Sequence, residues 1–416
     1  MTWAARIPTL AGLRYPQASF VLDFANNYYR GSGAQGSSPS ALPGYNFTRA
    51  LAAYAEDTAG NLIQFASGAP RITNKGVLIE PQATNSIRNS TPGNGATVGV
   101  VGSGGVVGTN WSVSVSGPTV AVLGSGTEGG LPYLDVRVSG TSLVGEIAFL
   151  FEGGTVVAAS SGQTWTYSQY IRLAGGDLTN ITATQLVLYE RNNVGSALSN
   201  TTVTATLTET RSRPYVTRTL NQATTAFVSQ KLILVPVIGL PVDFTLRIFP
   251  PQMEQGSVPT SYIPTTSASV TRPADVFYYS TTLYQAAQTV AAQADKSPSA
   301  AAPRIIGGEI GARTALYQAN PTNAIGTYNG TTVLNKIATL ASTNYSAASW
   351  DAAGRKVTFN GATPASDANT MSDWGKTYIG SDNGSSQFYG AYIQRIAIYP
   401  FAASDAQLQS ISSGNF

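Results

Sequence analysis

The sequence predicts an all-β protein of more than one domain. Three observations carry that expectation: short runs alternating apolar and polar residues with period two, dense Gly, Pro, Ser and Asn punctuation between the runs, and a composition apolar enough for real cores yet poor in charge. Hydrophobic residues make up 43% of the 416 and charged residues 11%, the latter against about 25% in an average soluble protein. Disorder pairs low hydrophobicity with high charge, so this balance describes a folded chain with a polar, uncharged surface. At roughly 150 residues per domain the length suggests two or three.

Residues 1–92 form an irregular block in which apolar pieces such as Phe20–Phe24 and Gly76–Ile79 are separated by loops, with Gly31–Gly44 a loop by composition. So broken a stretch is expected to be ordered against a partner or a neighbouring copy rather than around its own core. Residues 93–272 alternate cleanly at Trp111–Val115, Tyr133–Val138, Thr164–Ile171 and Phe244–Ile248. Period two in segments rich in Val, Thr, Tyr and Trp reads as half-buried strands, and many short strands suggest a sandwich or jelly roll. In residues 273–416, Lys356–Asn360 runs into an Asn360-Gly361 turn, a hairpin signal. Thr377–Gly380 and Ala391–Tyr399 are further strands. Ser404 before Asp405 reads as the N-cap of a short helix through Gln407 and Leu408. The Ala-rich run Tyr284–Asp295 is open: propensity favours helix, the surrounding pattern strand.

Composition also excludes functions. The net charge of +3 is dispersed, without the concentrated basic patch of a nucleic-acid protein. Without cysteine there are no disulfides and no thiolate metal sites. Without histidine the commonest general base is missing, and Ser-His-Asp and Cys-His chemistries are ruled out. Met1–Pro8 lacks the charged-then-apolar order of a signal peptide, and no apolar run is long enough to insert in a membrane as a helix.

Three groups of residues carry resemblances. Phe47-Thr-Arg49, Ala69-Pro-Arg71 and Gly76-Val-Leu-Ile-Glu-Pro-Gln-Ala-Thr-Asn85 resemble a recurrent module of phage and prophage structural proteins. Pro251-Gln-Met-Glu-Gln-Gly-Ser257 with Thr260–Pro264 and Thr271-Arg272 resembles the closing strand of a jelly roll similar to carbohydrate-binding modules. Trp350-Asp351, Lys356–Gly361, Ile379–Ser381, Phe388–Gly390 and Ile393–Tyr399 resemble the concanavalin A-like, laminin G-like sandwich. Together they imply a virion fibre or spike: an attachment segment over 1–92 contacting other virion proteins, a jelly roll over 93–272, and a lectin-like sandwich over 273–416 that binds host surface polysaccharide. Homotrimers are the usual state of such fibres. The rival readings are a structural head decoration without a receptor role and a glycan depolymerase.

An enzyme is not expected. Glycosidases need a pair of carboxylates at defined separation. No strand carries them in series, and after Pro273 the only glutamate is Glu309, which reads as a strand-end or ion-pair residue. Asp373 and Asp382 sit in no catalytic motif. Gly31–Gly36 matches a dinucleotide fingerprint in letters only, because Ser-Ser-Pro-Ser follows where a helix must start. Loop aromatics are the candidates for sugar stacking: Trp374 with Asp373, Tyr328, Tyr345, and Asn383 for hydroxyls. Trp111 and Trp165 lie on alternating strands and read as core. No cofactor is expected, with one alternative: Asp382–Ser386 offers hard oxygen donors for calcium, or else a plain turn.

Overall fold

The computed structural model describes residues 17–299, 302–319 and 323–416, and its regular elements are strands apart from a three-residue 3-10 turn and one helix. The fold is all-β, as the alternation predicts. Among the described residues no helix is long and apolar enough to cross a membrane.

The chain forms two compact units, and their boundaries differ from those composition suggests. One gathers the described residues of Met1–Ala59 with Phe65–Pro81 and Pro273–Phe416; the other holds Gly60–Gln64 and Gln82–Arg272. The second is therefore an insertion in the first, here called the inserted and the split sandwich.

In the split sandwich, residues 17–59 and 65–81 are not a separate segment but part of its sheets. Phe20–Asp23 pairs antiparallel with Tyr392–Tyr399, Gly76–Leu78 joins the same strand at Tyr392 and Ile393, and Tyr45–Thr48 pairs with Val276–Tyr279. Among the described residues these strands complete sheets of ten and seven strands. Phe20, Leu22, Val77, Phe47 and Phe277 share one core with Val290, Ile306, Leu316 and Ile393. The early strands look broken because each is only three or four residues long, and three of them, Phe20–Asp23, Tyr45–Thr48 and Gly76–Leu78, take a partner about 200 or more residues downstream. Residues 1–16 of the expected attachment segment lie outside the described residues.

The Ala-rich run resolves to a strand, Gln288–Asp295, paired with Tyr392–Tyr399 on one side and Thr343–Asp351 on the other. Burial on both faces overrides helix propensity. Small residues suit the position: Ala291, Ala347 and Ala397 form a flat outer face on which Leu408, Ile411 and Phe416 pack. The helix carrying the first two, Asp405–Ile411, opens with Ser404 as N-cap and Gln407 returning the capping-box bond. Asn360 and Gly361 are both left-handed, with φ of 49° and 73°, and the chain returns as Ala365–Asp367.

The inserted sandwich stacks, among the described residues, a seven-stranded on a six-stranded sheet. Its core draws Val136, Trp165, Tyr167, Phe244 and Leu246 from one and Phe149, Leu186, Leu188, Leu232 and Leu234 from the other. Its ends meet: Ala83–Asn85 pairs with Val270–Arg272.

Candidate functional site

The residues carrying the sequence resemblances lie inside the fold. In the split sandwich Arg49, Arg71, Glu80 and Asp275 form one buried ionic cluster. Arg49 Nη1 donates to Asp275 Oδ1 at 2.9 Å and Arg71 Nη1 to Glu80 Oε2 at 2.6 Å, while Arg71 Nη2 is bonded to Asp275 Oδ2. The guanidiniums also serve backbone carbonyls, Arg49 those of Leu51 and Ala66 and Arg71 that of Tyr54. Burial alone penalises the Arg71 cation, but the two carboxylates outweigh it and push its pKa up. These are closing contacts with no open face for a ligand.

The second motif closes the inserted sandwich. Glu254 accepts from Thr260 N at 2.6 Å and Thr260 Oγ1 at 2.7 Å; Gln252 Oε1 accepts from Ile263 N at 2.8 Å. Asn85 donates to the Ile263 carbonyl and accepts from Ile87 and Met253 N–H. Burial raises the Glu254 carboxyl pKa against these hydrogen bonds.

The loop candidates disperse. Trp374 is fully buried, edge-on to Trp350 and Tyr284, and its Nε1 donates to Thr377 Oγ1. Its ring is core, so it offers no stacking face. Asp373 is exposed, and its Oδ1 takes the Thr282 hydroxyl and Gly375 N–H. Arg313 ties it to the Tyr328 turn by donating to the carbonyls of Asp373 and Asn329. The Tyr328 hydroxyl is engaged by the Gly330 carbonyl. Tyr345 packs half-buried against Phe416 and Arg395. Asn383 is exposed and left-handed, and receives the Ser385 hydroxyl. Glu309 pairs on the surface with Lys376.

Asp382 is buried, its loop closed by backbone bonds to Ser385 and Ser386. Burial raises its pKa and the Arg304 guanidinium opposes that shift. A single carboxylate facing a fixed cation fits calcium poorly. Among the described residues no three acidic side chains gather as a metal set.

What sequence reasoning missed is a cleft of about 650 Å³ within the inserted sandwich. Gln82, Thr84, Ser86, Gln163, Thr164, Trp165 and Gln255 line it with Ala83, Ala158 and Gly256. No lining residue is ionisable. The strand Thr164–Asp177 meets Pro241–Gln255 here, with Trp165 opposite Gln255 and Gly256 N bonded to the Thr164 carbonyl at 2.9 Å. Gln163 Oε1 is fixed by Ser160 N at 3.0 Å and Trp165 Nε1 at 3.1 Å, and among the described residues its amide N–H groups have no partner. Among the described residues the side chains of Gln82, Ser86 and Gln255 likewise have no hydrogen-bond partner. Three amides and a hydroxyl thus converge with donors and acceptors to offer. Their signal is absent from the sequence because they sit at strand ends and follow no period.

The split sandwich has a cleft of similar size, about 640 Å³, containing Asp351, Arg355, Lys356 and Asp367. Its charges largely answer one another or a neighbour: Arg355 is bidentate to Asp367 at 3.1 and 2.6 Å, and Lys356 pairs with Asp405.

No family model matches the chain, and no curated protein sequence matches it. Among solved structures it is similar to the enzymatically active domain of bacteriophage CBA120 tailspike protein 4, at 13% identity and a TM-score of 0.27, over 36% of this chain and 20% of that one. It is similar also to the CBM22-1 xylan-binding domain of Paenibacillus barcinonensis Xyn10C, at 11% identity and a TM-score of 0.27, over 42% of this chain and 94% of that one. A third, among carbohydrate-binding modules of the β-sandwich superfamily, is 18% identical at a TM-score of 0.29, over 57% of this chain and 85% of that one. The chain spans about a fifth of the length of the tailspike domain.

Proposed function

We propose that this chain is a virion surface protein that holds a neutral host glycan in the cleft of the inserted sandwich and does not cleave it. One observation carries the reading: a cleft of glycan-fragment size whose free polar groups are amides and a hydroxyl, with no charge. Sugar hydroxyls both donate and accept, as amides do, and uncharged recognition is insensitive to salt. The lining holds no carboxylate for glycosidic acid–base chemistry, and the chain has no histidine. Placement on a virion is supported by the resemblance of residues 47–85 to phage structural modules, with attachment through the split sandwich to which most of those residues belong. Many copies on a particle, as homotrimers or otherwise, turn weak single-site binding into firm attachment. The rival, a structural decoration, draws on the fact that Arg49, Arg71, Glu80 and Asp275 all act inside the fold.

Purified protein is incubated with permissive host cells and with their extracted surface polysaccharide. Binding that persists at high salt without shortening of the polymer is expected. The double substitution Gln163→Ala/Gln255→Ala removes two amides at about 1 kcal/mol each and weakens binding about 30-fold. Released oligosaccharides overturn the non-catalytic reading. Failure to bind any permissive host favours decoration.

A further inference from the structure

One buried cation of the split sandwich is left without a partner. Arg304 opens the strand Arg304–Gly308 and is only 6% exposed. Its guanidinium lies over the Tyr317 ring, 5.0 Å from the centroid. Among the described residues its side chain makes no ion pair and no hydrogen bond: Nε is buried bare, and the equally unpartnered Nη fork opens to solvent. Arg49, Arg71 and Arg355, buried as deeply, spend their guanidiniums on carboxylates. A buried charge is costly unless something answers it.

The platform beneath Arg304 is fixed. The Tyr317 hydroxyl donates to Asn335 Oδ1 at 2.7 Å. Gly326 lies opposite Tyr317 in the next strand, where any side chain would strike the ring. The loop after Ser381 closes over the same place. Arg304 N donates to the Gln387 carbonyl at 3.0 Å, and Asp382 N to the Ser386 carbonyl at 2.9 Å. Asp382 is 7% exposed, and among the described residues its carboxylate accepts no hydrogen bond. Oδ1 is buried bare, as are Ser381 Oγ and Gln387 Oε1. Burial pushes Arg304 and Asp382 each toward the neutral form, and each opposes that push on the other. The two charges are therefore close, yet no ion pair closes between them. A fork of donors and a carboxylate share one surface, both unanswered.

The chemistry selects the ligand. A metal ion would gain one carboxylate and face the guanidinium. An anion suits the fork but is repelled by Asp382 and brings no proton for it. A hydroxyl both accepts and donates. Two adjacent hydroxyls set two oxygens side by side for the Nη groups and still give a proton to Asp382. The backbone bonds already hold the loop, so little ordering entropy is left to lose on binding.

We propose that Arg304 and Asp382 form a second ligand site, carried by the split sandwich, that takes the vicinal diol of a neutral sugar ring. The test uses the full chain with Gln163→Ala/Gln255→Ala, which removes the cleft of the inserted sandwich from the measurement whether or not that cleft binds glycan. Methyl α-glucoside, methyl α-mannoside and methyl α-galactoside together present diequatorial and axial–equatorial diols. Each is titrated while the backbone amide resonances of residues 381–387 are followed by NMR. Saturable shifts there are expected with at least one of them. Asp382→Asn drops the charge at constant shape, and Arg304→Lys keeps a cation over Tyr317 but loses the fork. Each is expected to weaken binding about tenfold or more without lowering the melting temperature. Lys376→Met, which removes a surface cation of the same unit, leaves binding unchanged. Shifts with sodium acetate or phosphate but not with the glycosides overturn the proposal in favour of an anion site, and shifts with calcium alone in favour of a metal. Silence with all three glycosides, or wild-type affinity in both variants, overturns it outright.

Discussion

At the scale of single residues, Asp275 holds two buried cations at once, Arg49 and Arg71. Removing one partner of a buried ion pair strands the other and costs about 3–5 kcal/mol, a large share of the 5–15 kcal/mol by which domains are stable. Asp275→Ala is therefore expected to lower the urea midpoint of the split sandwich sharply, while glycan binding by whatever protein remains folded is unchanged. Gln230 predicts the opposite sign. It faces the core of the inserted sandwich between Val228 and Leu232, opposite Leu188, and neither atom of its amide has a hydrogen-bond partner. Each such group costs about 1–3 kcal/mol. Gln230→Met keeps the length and drops the amide, so thermal unfolding should shift upward by a few degrees, at roughly 2–4 °C per kcal/mol for a unit of this size. Residue-level reading of the sequence failed most clearly at Trp374. Its flanking Asp and Gly look like a loop tip, but the indole closes on Trp350, 24 residues earlier, and no local pattern reports that contact.

Whole elements were more legible. Alternation at Tyr133–Val138 and Phe244–Ile248 falls inside the strands Leu131–Thr141 and Pro241–Gln255, because a sheet with one face on the core imposes period two. Strand partners were not legible, since period two says which face is buried and nothing about what lies alongside; Phe20–Asp23 lies between its neighbour Tyr28–Gly31 and the distant Tyr392–Tyr399. The closing turn Gln252–Ile263 allows a prediction at this scale. Its Glu254 has a pKa raised above the ordinary 4.5 by burial, so the folded state holds the proton more tightly than the unfolded chain. The carboxyl therefore favours folding when protonated, and that contribution fades as pH rises through the folded-state value. Glu254→Gln keeps an acceptor for Thr260 N and offers a donor to Thr260 Oγ1 without a charge to bury. Relative to this variant, wild type should gain stability as pH falls from neutral toward 4.5. Parallel urea titrations across that interval measure the difference, and parallel curves would show that Glu254 is no more than a spectator.

At the scale of the molecule, the insertion makes a further demand. The chain leaves the split sandwich after Pro81 and re-enters at Pro273, and the residues just inside those points are bonded to each other. Glu80 N donates to Asp275 Oδ2 at 2.9 Å, and Asp275 N to the Glu80 carbonyl at 3.0 Å. The split sandwich thus closes across the gap with its own hydrogen bonds and its own ionic cluster, while Ala83–Asn85 and Val270–Arg272 close the inserted sandwich from the other side. Each unit has a separate core, the condition for independent folding. Replacing residues 82–272 with a short Gly/Ser linker should therefore leave a cooperatively melting β protein. One repair is built into the prediction. Gly60–Gln64 packs with the inserted sandwich, where Leu62 N donates to the Gly129 carbonyl and the Leu62 side chain is buried. The deletion uncovers that leucine, and Leu62→Ser in the same chain should restore solubility without altering the melt. If the split sandwich instead unfolds or precipitates with both changes in place, its core depends on the insertion and the two units are one folding domain. If it folds and loses glycan binding, recognition resides in the inserted sandwich, where the uncharged cleft lies.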